Sequence, residues 1–121
     1  MLQQTYHVAG TLAANLNIRF TAHNNMQLKH VSAVASNDSD ATMTLGTSAD
    51  ADGFLAACVI GDSGTPVEKG LADFDGALLS DPGGELPRIS DGDVVVIGLD
   101  FDGAAGTAAA NVTIVLTLLE G

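Results

Sequence analysis

Val94-Val95-Val96-Ile97-Gly98-Leu99-Asp100-Phe101-Asp102 and, after the soft segment Gly103 to Ala110, Asn111-Val112-Thr113-Ile114-Val115-Leu116-Thr117-Leu118-Leu119 decide the fold class. In the second run Val112, Ile114, Leu116 and Leu118 alternate with Thr113, Val115 and Thr117, the period of two of a strand with one buried face. In the first, Val95, Ile97, Leu99 and Phe101 share one face, and Val94, Val96, Gly98 and Asp100 the other. β-Branched side chains dominate both runs; they pack well on a pleated surface and fit helices less readily. The two runs are therefore expected to form a long antiparallel hairpin at the centre of a β-sandwich.

Working outward, the rest of the chain repeats this pattern in shorter pieces. Thr5 to Leu12 reads as an edge strand with Tyr6 and Val8 on one face. Asn15 to Ala22 alternates Leu16, Ile18 and Phe20 against Asn17, Arg19 and Thr21, predicting a core face and a wet face. After the turn cluster His23-Asn24-Asn25, the segment Met26 to Ser36 changes phase: Met26 and Leu28 share one parity, Val31, Ala33 and Ala35 the other. One extra residue near Lys29 or His30, a β-bulge, reconciles the halves. Asn37-Asp38-Ser39-Asp40 is a turn, Ala41 to Leu45 a short strand, and Phe54 to Ile60 an apolar run expected to be covered on both sides.

Between Gly61 and Asp93 breakers recur. Thr65-Pro66-Val67-Glu68 has capping-box spacing with Pro at the first helical position, so a helical turn or two is expected there. Leu71 to Leu79 reads as a strand or extended loop, with a short helix as the alternative. Asp81-Pro82-Gly83-Gly84 is a turn, and Gly92 supplies the positive φ of a tight turn before Val94. About eight short strands without a long amphipathic helix make an all-β, two-sheet antiparallel β-sandwich, with Greek-key or jelly-roll connectivity. Residues 1–121 fit a single domain, since a chain of this length can bury one self-sufficient core.

Composition narrows the function classes. The net charge of −11 argues against a nucleic-acid or anionic-membrane partner, both of which select for Lys and Arg. Residues 1 to 37 hold Arg19, Lys29 and no carboxylate; residues 38 to 121 hold all fifteen acidic residues against Lys69 and Arg88. Acidic turns keep sheet proteins soluble and edges apart; the alternative is that the basic first third faces an acidic neighbour. Aromatics make up only 4% and Trp is absent, so the core is built from small side chains and contacts between copies are expected to add stability. Cys58 stands alone in an apolar setting and reads as a buried small hydrophobe. The start lacks the basic and apolar regions of a signal peptide, which implies synthesis in a cytoplasm.

No arrangement for catalysis emerges. The paired carboxylates (Asp73 with Asp75, Asp100 with Asp102 and others) invite calcium, but Ala77 and Ala104 occupy the third ligand position, which excludes an EF-hand. Turn-forming Asp-Gly steps are the better reading, and no metal or other cofactor is expected. The repeated Asp-Phe-Asp-Gly, at 73 to 76 and 100 to 103, reads as a strand-end solution with Phe buried and Asp exposed. His7, His23 and His30 would make a zinc site only if three strands converged. With no nucleophile elbow, GxGxxG, Walker A or CxxC pattern, the chain is not expected to be an enzyme.

Ile18-Arg19-Phe20-Thr21-Ala22 with Met26 to Ala35, the Gly61-Asp62-Ser63-Gly64-Thr65-Pro66 loop, and Val94 to Gly106 leading into Asn111 to Leu116 together resemble small decoration or cement proteins of tailed-bacteriophage capsids. The resemblance implies a structural virion protein on the head exterior, made in the host cytoplasm. It would act as a homotrimer that clamps adjacent major capsid proteins. The expected contact residues are Asn17, Arg19 and Thr21 on the wet face of one strand, together with Lys29. The competing reading is a ligand- or carbohydrate-binding sandwich module of a head or tail fibre; the scarcity of aromatic platforms counts against it.

Overall fold

The computed structural model describes residues 2–60, 62, 64–101 and 106–120. Among them nine strands follow in chain order: β1 (Leu2–Thr11), β2 (Leu16–Thr21), β3 (Met26–Val34), β4 (Thr42–Thr47), β5 (Asp50–Val59), β6 (Val67–Lys69), β7 (Arg88–Ile89), β8 (Val94–Asp100) and β9 (Ala110–Glu120). A single 3-10 turn, Leu71–Asp73, lies between β6 and β7.

The pairing is that of one long hairpin rolled up. β4 pairs with β5 at its tip, β3 with β6, β2 with β8, and β1 with β9, all antiparallel. Rolling then brings β9 beside β3 and β8 beside β4. Two sheets result, in the orders β1-β9-β3-β6, with β7 also on β3, and β2-β8-β4-β5. This is a two-sheet antiparallel β-sandwich with the interleaved order of a jelly roll.

The two C-terminal runs are central, as their composition requires, but they are not partners: β8 sits in one sheet and β9 in the other. Each uses both of its edges, β8 on β2 and β4, β9 on β1 and β3, so a β8–β9 hairpin would leave β1 and β2 without neighbours. Their apolar faces instead meet in one core, Val95, Ile97 and Leu99 with Val112, Ile114, Leu116 and Leu118. The chain crosses between the sheets under a clamp from the Asn37–Asp40 turn. Asn37 donates to the Ala108 carbonyl and accepts from the Ala110 amide, 2.9 Å each, and Asp40 accepts from the Thr107 amide at 2.8 Å.

The phase change in β3 is a bulge: its register with β9 slips between Leu28 and His30, and Leu28 and Val31 both point into the core. Gly92 has φ +91° in the turn before β8. Three expectations need correction. β5 is an edge strand, with Ala56, Ala57 and Val59 exposed; it lies outside β4, where methyl-sized side chains need no cover. Val67–Lys69 extends as a strand because β3 offers it backbone partners, and the helical turn begins only after Gly70, whose amide is capped by the Asp73 carboxylate at 2.9 Å. Leu71 to Leu79 accordingly opens with that turn. Of the repeated tetrapeptide, Phe74 is fully buried whereas Phe101 is half-buried, and Asp102 and Gly103 lie outside the described residues.

Candidate functional site: an open seam and a polar hollow

The two sides of the sandwich differ in how their edges are finished. On the β5 and β6 side, the segment after β6 runs along β5: Gly76 donates to the Phe54 carbonyl at 3.3 Å, Leu78 to the Gly53 carbonyl at 2.9 Å, and the Asp75 carboxylate accepts from the Ala56 amide at 3.2 Å. Phe74 plugs the core beneath it. A Cβ at Gly76 would collide with the Gly53 backbone and the Phe54 amide, so only glycine permits this approach.

On the opposite side nothing covers β1 or β2 among the described residues. Each is the terminal strand of its sheet, and the two face each other: Tyr6 of β1 stacks on Phe20 of β2 with ring centroids 6.0 Å apart and planes 23° apart. Tyr6, Val8, Ile18 and Phe20 pack on the core while staying only half-buried. Leu16 remains 36% exposed and Leu2 49%, so the apolar interior reaches solvent along this seam. The alternation in β2 predicts burial of Leu16, Ile18 and Phe20; the face is the inward one, but among the described residues no further strand lies beyond it to complete the burial. Burial raises the Tyr6 phenol above its ordinary pKa.

β1 carries no Asp, Glu, Lys, Arg or Pro over its ten residues. Charges and prolines are the usual means of keeping an exposed edge from pairing with another chain. Its far end is shaped by Asn111, which adopts φ +50° and accepts from the Gly10 amide at 2.8 Å.

A second feature lies on the outer face of the β2-β8-β4 sheet. Cross-strand registers place Asn17, Gly98 and Thr44 in one row, and Asp100 with Thr42 in the next. With Asn15 they line a hollow of about 210 Å³ whose floor is Gly98. One row further on, Val96 is buried on this same face because the backbone of Asp50 to Gly53 bulges from β5 over its neighbour Gly46.

The predicted contact residues divide between the sheets. Asn17, Arg19 and Thr21 project from the outer face of β2, flanking the seam, all exposed. Lys29 occupies the β3 bulge in the other sheet and is not brought to them. The histidines also stay apart: His7 lies 2.8 Å from the Thr113 hydroxyl, His30 is 3.8 Å from Glu68, and His23 sits in the β2–β3 turn. Among the described residues no group of three or more His, Cys, Asp or Glu could hold a metal ion. Cys58 is half-buried on β5, and burial raises its thiol pKa.

Sequence reading passed over Tyr6 and Phe20 as a pair, and Gly98 with its hydroxyl and amide neighbours. One signal for the seam was available: from Met1 to Ile18 the chain holds no charged side chain, histidine aside. No family model matches the chain, and no curated protein or solved structure is significantly similar to it.

Proposed function

We propose that this domain is a structural adhesion module that works through protein–protein contact and carries out no reaction. In the role implied by its resemblance to phage decoration proteins, copies associate as trimers and attach to the major capsid protein on the outside of a phage head. The observation that supports this reading is the seam. Two adjacent uncovered edges, one of them free of gatekeeping charge, expose half-buried aromatic and aliphatic side chains on a face without a carboxylate. Such an edge adds main-chain hydrogen bonds to whatever strand docks on it, and the apolar strip supplies the burial that makes docking favourable. The carboxylates, all beyond residue 37, hold copies apart everywhere else.

Sedimentation equilibrium and co-sedimentation with purified phage heads test it. The wild-type chain should assemble and travel with the heads. Arg19→Glu, beside the seam, should lose that occupancy, and Lys29→Glu, in the opposite sheet, should retain it. A wild-type chain that stays monomeric and leaves phage heads bare would overturn the proposal.

A further inference from the structure

We propose that the hollow over Gly98 is a binding site for one neutral sugar unit of a glycan, separate from the seam and independent of the adhesion reading. A glycine in the middle of a central strand weakens it and commonly marks close approach of another group. Here a Cβ on Gly98 would stand 2.5 Å from the Thr44 hydroxyl and 3.5 Å from the Asn17 carboxamide oxygen, so the bare glycine is what lets the Thr44 hydroxyl lean over the floor toward Asn17.

Several polar groups around that floor are uncommitted. Among the described residues the side chains of Asn17, Thr42 and Thr44 have no hydrogen-bond partner; Asn15 uses only its oxygen, which accepts from the Phe101 amide at 3.2 Å. Two carboxamides and two hydroxyls therefore converge on one concavity. Asn15 and Asn17 stand on the β2 side and Thr42 and Thr44 on β4, two strand spacings or about 9.6 Å apart, with about 7 Å between successive groups along each strand, a frame wide enough to seat one pyranose ring between them.

The chemistry of the lining selects the ligand class. An anion is disfavoured by Asp100 in the wall and by the net charge of −11. A cation would find a single carboxylate. An apolar ligand would leave the amides and hydroxyls desolvated without partners, at the cost of each lost hydrogen bond to water. A neutral polyol satisfies them all. The hollow is smaller than the roughly 300–1,000 Å³ of sites for drug-sized ligands, which fits one ring. With no aromatic platform at the floor, binding should be in the millimolar range, about −4 kcal/mol.

The test is an NMR titration of the whole chain with glucose, galactose, mannose and N-acetylglucosamine in turn. At least one sugar should shift the Gly98 amide and the Asn15 and Asn17 side-chain amides in a saturable way, leaving Tyr6 and Phe20 unmoved. Asn17→Ala and Thr44→Val should each weaken binding about two- to tenfold, the loss of one hydrogen bond. Gly98→Ala combined with Thr44→Ala relieves the steric conflict yet raises the floor, and should abolish the shifts in a folded chain. If none of the four sugars moves these signals, or if the double variant binds as well as wild type, the site assignment is wrong.

Discussion

The β5 and β6 side of the sandwich and the β1 and β2 side face the same problem, an edge of unpaired backbone, and meet it in opposite ways. On the first, an irregular segment spends its amides, a carboxylate and a fully buried Phe74 on closing the edge. On the second, two strands end the sheets with no such cover among the described residues, and the aromatic pair Tyr6–Phe20 stays half in solvent. Closing an edge costs chain length and conformational entropy. That one side carries this cost and the other does not is the asymmetry on which the proposed adhesion rests.

The contrast can be broken most forcefully at the plug. Phe74→Ala should remove about 3–5 kcal/mol of stability, read from a shifted midpoint in urea unfolding, whereas Phe20→Ala on the open side should cost the isolated chain well under half of that. If the two cost the same, the sides do not differ as described. Next in size is Gly76→Ala, which pushes the covering segment off β5 and should cost about 1–3 kcal/mol. Faster hydrogen exchange at Ala56 should accompany it, with no change at β1.

Thr5→Lys sharpens the other half of the comparison. A lysine on an exposed edge should move the stability of the isolated chain by no more than about 0.5 kcal/mol, yet disperse its oligomers in sedimentation. Unchanged assembly would show that β1 is not the contact. The smallest effect concerns Tyr6, the only tyrosine. Because its folded-state pKa is raised, the unfolded chain loses the phenolic proton first, near pH 10. This contribution to stability is therefore intact below about pH 10 and declines as pH rises toward the folded-state pKa. Tyr6→Phe should remove that decline, and tyrosinate absorbance should titrate above the ordinary range, by a margin that shrinks in Thr5→Lys.

Much of the fold was legible because alternation reports burial residue by residue. The bulge in β3 could be placed from two parities alone, and the turn glycine before β8 from its neighbours. What alternation does not encode is partnership. β8 and β9 look like a hairpin because they are adjacent in sequence and equally apolar, and nothing local distinguishes pairing side by side from facing across a core. The same limit hid the site. Phe20 reads as a core residue in its own strand, and it lies at the surface because β2 ends its sheet among the described residues. Gly98 reads as a minor interruption until Asn17 and Thr44 are set beside it. Arg19 and Lys29, ten residues apart, read as one basic region, while the rolled topology sends them to different sheets.

The nesting of the strands also has a temporal side. β9 lies between β1 and β3, so the sheet that bears β1 cannot form until β9 has left the ribosome. On the adhesion proposed above, a copy whose β9 has yet to emerge has no finished lip to offer a neighbour, and joining waits for that strand.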